Sequence, residues 1–307
     1  MTLRVTFLGT SGAVPTTERN PSAVFVNREG EELLFDCGEG TQRQMMRYGT
    51  GFSVSAIFLS HVHGDHVYGL PGLLQTWGFQ GRDDPLTIHT PVGTRADVVS
   101  LVTACGGDLQ YPVHVAEVRP GETAHKGDGY VVSTFETAHR TRSVGYALVE
   151  ADRKGRFYRE TAERLGVPVG PAFSRLHGGE PVELDDGTVV EPEQVVGPPR
   201  PGRRVVYTGD TGPADSVVEA AEGADLLIHD ATFADEAAER ARETGHSTAR
   251  EAAEVATRAG AERLVLTHVS PRYAGDASVL ESEAREAFDG EVVLARDGLE
   301  IAVPYRD

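Results

Sequence analysis

Short apolar runs rich in β-branched and aromatic residues, cut by Gly, Pro, Asn or Ser, fill the first part of the chain: RVTFLG, SAVFVN, ELLFDCG and SAIFLSH. Each reads as a strand. Helical spacing follows around PGLLQTWGF and then TRADVVSLVTAC. A second set of strands is expected in HVAEVR, YVVSTFET and VGYALVE, and four more in VVYTGD, DLLIHDAT, RLVLTHVS and EVVLA. The later strands alternate with helix-like segments. DSVVEAAEGA and STAREAAEVATRAGA are the plainest, the second with Ser247 as the expected N-cap and Glu251 in its first turns. Strands with intervening helices predict an α/β architecture in which two sheets carry helices on their outer faces.

Residues 151–202 break that rhythm. The stretch is rich in Gly, Pro and charge and is too long for an ordinary connection. Within it, Arg153, Lys154, Arg156, Arg159, Arg164 and Arg175 face only Glu160 and Glu163 across residues 153–177, a local charge of +4. One reading is a solvated insertion without a role. The sign reversal beside Phe157 and Tyr158 favours contact with a polyanion.

Composition sharpens this contrast, because the whole chain of 307 residues carries a formal charge of -18. Only Lys126 and Lys154 are lysine; the other basic residues are arginine. Excess Asp and Glu with so little Lys is expected of a salt-loving organism such as a halophilic archaeon, where ions screen self-repulsion. An acidic protein from a GC-rich genome would also exchange Lys for Arg. Either way the charge argues against a simple basic nucleic-acid binder, so any RNA contact must be local. No run approaches the ~18 apolar residues of a membrane helix, and MTLRVTFLGT has no signal-peptide pattern. The two cysteines, Cys37 and Cys105, form no C-x-x-C pair, which excludes a thiolate zinc site and makes a reducing cytoplasm the simplest compartment.

The chemistry concentrates in SHVHGDHVYGLPG, residues 60–72. His61, His63, Asp65 and His66 follow an expected strand, where α/β sheets gather their ligand sites. His61 and His63 can point into one cavity from extended backbone, and Gly64 lets the chain turn to aim Asp65 and His66 at a neighbouring point. Imidazole and carboxylate together suit zinc; a polar surface loop is the bland alternative. One loop cannot close two metal sites. His139 in ETAHR, Asp210 in YTGDTG and His268 in LTHVS each follow a β-rich run. Alone, each is more often a turn residue or a satisfied histidine; together they supply the missing ligands.

These segments resemble the metallo-β-lactamase superfamily and, within it, the ribonuclease Z family of tRNA 3′-processing endonucleases. The resemblance runs end to end through FLGTSGAVPTTERN, FDCGEGTQRQM, SHVHGDH, GDT, HDAT, GHST and THVSPRY. It implies a four-layered αββα sandwich, one domain over residues 1–307, with 151–202 as a protruding flexible arm that clamps the tRNA body. It implies two zinc ions per subunit: His61, His63 and His139 on one, Asp65, His66 and His268 on the other, Asp210 bridging. It also implies a metal-activated hydroxide that attacks the phosphodiester of precursor tRNA and leaves a tRNA 3′-hydroxyl and a trailer 5′-phosphate. Dimerisation is implied too, with one subunit's arm serving its partner's site.

By the same resemblance Asp65 also accepts a proton and His246 in GHST gives one to the leaving oxygen, oriented by Asp230 in HDAT, where the family usually has glutamate. Asp36 orients a metal-bound histidine. Ser270, Arg272 and Tyr273 in THVSPRY, Arg19 and Asn20 in PTTERN, and Arg153, Lys154, Arg156 and Arg159 are the expected RNA contacts. Thr17 stands where the family commonly has lysine. His89, His114, His125 and His177 match nothing and read as surface or satisfied residues. Two other classes stay in view: another dinuclear phosphodiesterase or hydrolase of this fold, and a non-catalytic RNA-binding scaffold. The scaffold predicts damaged ligands, and all seven are present.

Overall fold

In the computed structural model, which describes residues 2–104 and 109–306, the apolar runs become strands, most deeply buried in RVTFLG, SAVFVN, VGYALVE and DLLIHD and partly exposed in HVAEVR and EVVLA. The first half contributes β1 (Leu3–Gly9), β2 (Ala23–Arg28), β3 (Glu31–Phe35), α1 (Thr41–Tyr48), β4 (Val54–Phe58) and α2 (Gly64–Val67). Next come α3 (Leu70–Phe79), β5 (Leu86–Pro91), α4 (Arg95–Thr103), β6 (Val113–Val118), β7 (Thr123–Gly127), β8 (Tyr130–Glu136) and β9 (Val144–Glu150). A set of short elements follows: α5 (Arg159–Arg164), α6 (Pro171–His177), β10 (Val182–Glu183) and β11 (Val189–Val190). The last third holds β12 (Arg204–Tyr207), α7 (Asp215–Ala220), β13 (Leu226–Asp230), α8 (Ala238–Thr244), α9 (Ala249–Ala259) and β14 (Arg263–Thr267). It closes with α10 (Ser278–Ala287), β15 (Glu291–Leu294) and β16 (Glu300–Ala302). Cys105 lies outside the described residues.

Among the described residues the larger strands form two seven-stranded sheets, ordered β16-β1-β2-β3-β4-β5-β6 and β15-β14-β13-β12-β9-β8-β7. Side-chain alternation sorts each strand between two cores. In β3, Leu33 and Phe35 join Phe58, Tyr146 and Ile228 between the sheets. Leu34 points the other way, beneath Met45, Leu73 and Trp77 of α1 and α3. In β13, Leu226 and Ile228 face the other sheet, whereas Leu227 packs under Ala252, Ala256 and Leu280 of α9 and α10. The result is the expected αββα sandwich. Strands β3 to β6 run parallel in one sheet and β12 to β15 in the other, so their carboxyl ends gather.

The chain divides into two compact units: Met1–Val149 with Arg203–Pro304, and Glu150–Gly202 with Tyr305–Asp307. The second unit has a core of its own, built on Ala162, Val167, Leu176, Val182, Val190 and Val195. Bridges Arg153↔Arg200 and Phe157↔Val196 draw its ends together, and the Phe157 and Phe173 rings lie 5.0 Å apart.

Two expectations need correction. The N-cap of α9 is Thr248, whose hydroxyl accepts from Glu251 N–H while the Glu251 carboxylate accepts from Thr248 N–H. Ser247 instead donates to the Thr211 carbonyl, 2.8 Å away. His89 is neither exposed nor satisfied: it is buried in β5, stacked on Phe58 at 4.9 Å, with no hydrogen-bond partner at either nitrogen among the described residues. Strands β5, β7, β10, β11 and β16 escaped the reading, since His89, Pro91, His125 and Lys126 dilute the apolar pattern and β10, β11 and β16 are only two or three residues long.

Candidate metal centre

The site grows from the strand ends. Asp36 follows β3, the His61–His66 loop follows β4 and opens α2, and His139 follows β8. Asp210 follows β12, Asp230 ends β13, and His268 follows β14. Three groups of donor atoms result, each with its members within 4.8 Å of one another: His61, His63, His139 and Asp210; Asp65, His66 and His268; and Asp210, Asp230, His246 and His268. All seven ligand candidates named from the sequence therefore meet in one cluster, whose groups share Asp210 and His268.

The hydrogen bonds behind these side chains fix where the lone pairs point. The Gly245 carbonyl, 2.8 Å from His139 Nδ1, can only accept, so that nitrogen carries the proton and Nε2 is bare. The Asp36 carboxylate likewise takes the His66 Nδ1 proton at 2.7 Å. Ser60 Oγ donates to Asp36, so His61 Nδ1 must donate to Ser60, 3.0 Å away. Thr232 Oγ1 donates to Asp230, so His268 Nδ1 must donate to Thr232, 2.8 Å away. In their neutral form these four histidines are thus held with Nδ1 protonated and Nε2 as a lone pair aimed inward.

Those lone pairs face each other. His61 Nε2 lies 2.9 Å from His63 Nδ1, and His66 Nε2 lies 3.4 Å from His268 Nε2. Asp210 Oδ1 is buried 3.2 Å from both His66 Nε2 and His268 Nε2, yet it makes no hydrogen bond. Bare nitrogens around an orphaned carboxylate oxygen repel one another unless a cation sits among them. The donor set, imidazole and carboxylate with an outer ring of partners, fits divalent zinc.

The electrostatics agree. Burial works against a charged His66, but Asp210, Asp36 and Asp65 together hold its pKa well above the ordinary histidine range. Burial would raise Asp65, yet His66 and His268 keep it ionised far below the usual carboxylate range. Burial also opposes Asp210, and His268, His66 and His61 hold it well below normal. By contrast, burial and then the neighbouring His66 push His61 down. The pocket demands positive charge.

Asp36 does more than meet His66. Its carboxylate also accepts from Ser60 N–H at 2.7 Å and from the Tyr207 hydroxyl at 2.6 Å. It adopts a left-handed backbone with φ 57°, as do His268 at 61° and Ala13 at 64°. Such strain in residues other than glycine clusters at functional sites. Beside the metal cavity, His246 Nδ1 lies 2.7 Å from Asp230 Oδ2, so the aspartate reaches the histidine despite its short side chain. Thr211 and Thr232 backbone N–H groups hold the same carboxylate.

The expected RNA contacts fare differently. Arg272 is exposed and stacks over Phe233 at 5.1 Å, and Ser270 is half-buried. Tyr273 is buried, and its phenol oxygen accepts from Ala234 N–H. Arg19 turns inward to Thr10 Oγ1 and the Ala295 carbonyl, and Asn20 Nδ2 donates to the Glu39 carbonyl. In the second unit, Arg153 is spent on the Tyr305 ring at 3.8 Å and the Arg306 carbonyl, and Arg159 pairs with Glu163 at 2.8 Å. Lys154 and Arg156 are exposed, and among the described residues their side chains have no partner. Ser60, Tyr207 and Thr232 were missed. Each adjoins a motif, but which hydroxyl faces the cavity depends on the fold.

Comparison with known proteins adds to this geometry. Residues 3–157 match the family profile described as anti-Pycsar protein Apyc1, and residues 181–269 the one described as a β-lactamase superfamily domain. A ribonuclease Z of Halobacterium salinarum is 67% identical over 307 residues, covering 100% of this chain and 99% of that protein. A ribonuclease Z of Halorubrum lacusprofundi is 64% identical with the same coverage of both. The crystal structure of human tRNase Z, short form, is 31% identical, with a TM-score of 0.71 over 98% of this chain and 99% of that one.

Proposed function

We propose, from the premise that this chain belongs to the ribonuclease Z family, that it is a metal-dependent endoribonuclease that removes the 3′ trailer of precursor tRNA. The fold is that of the metallo-β-lactamases. One observation carries the chemistry: protonless imidazole nitrogens converge on Asp210 beside the His246–Asp230 pair.

Two zinc ions fit the donors. His61, His63 and His139 would hold one, Asp65, His66 and His268 the other, and Asp210 would lie between them. When bound, such ions supply Lewis acidity and lower the pKa of a water toward about 7. The chain's own residues do the rest. Asp65 stands in the cavity as an acceptor for the water's proton as water adds in line at phosphorus. The P–O3′ bond breaks, and His246 gives a proton to the departing oxygen. Asp230 holds the His246 ring by its other nitrogen. Burial disfavours charge on His246, but Asp230 outweighs it and raises the histidine to about 9, so it is a proton donor at neutral pH. The products are a tRNA 3′-hydroxyl and a trailer 5′-phosphate.

The second unit would bind the tRNA body, with Lys154 and Arg156 as its available cations. A homodimer fits the exposed apolar residues on adjoining α1 and α3, Met46 and Phe79. Among the described residues no helix is long and apolar enough to cross a membrane; the cytoplasm, where tRNA precursors are made, is the expected compartment.

The test is to incubate metal-analysed protein with 3′-extended precursor tRNA across a salt series, with and without chelator, and to sequence both product ends. Chelator-sensitive cutting at the end of the acceptor stem, leaving 3′-hydroxyl and 5′-phosphate, is expected. Intact precursor at every salt despite bound zinc would turn the search to small phosphodiesters and esters.

A further inference from the structure

Asp297, in the turn between β15 and β16, belongs to no motif named above. Its carboxylate nevertheless gathers both ends of the loop 10–20. Oδ1 accepts from Thr10 Oγ1 at 2.8 Å, and Oδ2 accepts from Asn20 backbone N–H at 2.7 Å and from Gln44 Nε2 at 2.8 Å. Gln44 also donates to the Leu8 carbonyl at 2.8 Å, which ties α1 to the end of β1. Arg19 adds a bond to Thr10 Oγ1 at 2.7 Å. Positions up to 287 residues apart in sequence are thus joined at one side chain.

The middle of that loop leans on two of the candidate ligands. Ala13 N–H donates to Asp65 Oδ2 at 2.8 Å. Gly12 lies so close to His268 that a Cβ there would stand 2.8 Å from the imidazole Cε1 and Nδ1. Val269 N–H donates to the Thr10 carbonyl at 2.9 Å, and Gly12 N–H to the Val269 carbonyl at 3.0 Å, so the loop and the strand end that bears His268 are stitched together. Among the described residues, no hydrogen bond joins this loop to His61, His63 or His139.

We infer that Asp297 is a positioning residue for one metal pocket, that of Asp65, His66 and His268: it clasps the loop that holds Asp65 and backs His268, and so sets that pocket's affinity without touching the ion. The inference rests on the two-ion reading above. It does not follow from that reading, which treats the two pockets alike. Outer partners of this kind are worth about 10–100-fold in metal affinity. Their effect here falls on one ion, because the loop reaches one pocket.

The experiment is a titration of metal-free protein with Zn2+, and with Co2+ read by absorption, alongside Asp297→Ala, Asp297→Asn and Gly12→Ala. Circular dichroism melts of the metal-free forms check folding. Wild type is expected to bind two equivalents. Asp297→Ala should keep one at wild-type affinity and weaken the other about tenfold or more. Gly12→Ala, which presses a methyl on His268 and leaves Asp297 intact, should weaken the same equivalent. Asp297→Asn, with one acceptor oxygen for three donors, should fall between; if Asp297→Ala does not fold, these two decide. Equal weakening of both equivalents, or of neither, overturns the clasp. A single equivalent in the wild type sinks the two-ion reading. The clasp then stands if Asp297→Ala weakens that equivalent and falls if it does not.

Discussion

Asp230 is one methylene shorter than the glutamate usual in the family, yet its Oδ2 sits 2.7 Å from His246 Nδ1. Two threonine backbone N–H groups brace it there. A His246→Ala variant should lose about 10²–10⁴ in kcat with KM for precursor tRNA little changed, as expected for a lost general acid. Single-turnover kinetics at saturating RNA would show it; a change confined to KM would assign His246 to binding instead. Asp230→Asn keeps the shape and removes the charge, and should lower kcat by about tenfold or more. His89 gives a pH effect on stability. Its burial between the sheets, then the nearby His125, lowers its pKa to about 4 from 6.5. The folded state therefore disfavours the proton. The stability from keeping His89 neutral is present above pH 6.5 and is lost as pH falls toward about 4, by about 3 kcal/mol in all. His89→Leu should flatten that acid limb in melts compared between pH 7 and pH 5; an unchanged limb would locate the sensitivity elsewhere.

Elements explain why the site lies where it does. The candidate ligands follow strands whose middles are committed to packing, so each strand end delivers a side chain at a fixed height above the sheet. Small residues along α9 (Ala249, Ala252, Ala253, Ala256) let that helix lie close to its sheet, which sets the entry from His246 into the helix. On the other side, α1 and α3 meet through a Gln42–Thr76 hydrogen bond and expose Met46 at 55% and Phe79 at 89%. These two exposed apolar side chains on adjoining helices are where the proposed homodimer would meet. Sedimentation should find a dimer at micromolar concentration, and Phe79→Asp should dissociate it. A monomeric wild type would remove the dimer from the reading.

At the scale of the whole molecule, charge and RNA pull in opposite directions. The chain carries -18 overall and acts on a polyanion, and two of the three relatives compared above come from halophilic archaea. High salt screens the repulsion but also weakens each phosphate contact. Few cations can then matter much, and Lys154 and Arg156 are the available pair in the second unit. Replacing both with Gln should raise KM for precursor tRNA at low salt and reduce the salt slope of log K by about 1–2. A small phosphodiester should be turned over as before. Equal loss on both substrates would end the arm's RNA role.

The sequence by itself determined the strand–helix alternation and the four-ligand cluster His61, His63, Asp65 and His66, because apolar periodicity and ligand-type clusters are local signals; His139, Asp210 and His268 stand alone in the chain and joined that cluster only through their places after β-rich runs and the family resemblance. It also marked residues 151–202 as a departure in composition. It could not see His89, whose burial follows from a sheet face closing over it. Nor could it see that Arg19, Tyr273 and Arg153 turn inward, since a polar side chain chooses between protein and solvent only once the packing around it exists. The tertiary structure alone decided which hydroxyl, carbonyl or carboxylate lies behind each histidine, and therefore which nitrogen is left bare. Asp36, Thr232, Gly245 and Asp297 act across up to 287 residues of chain. No sequence pattern encodes such partners, because hydrogen-bond geometry over that separation exists only after the sheets have packed.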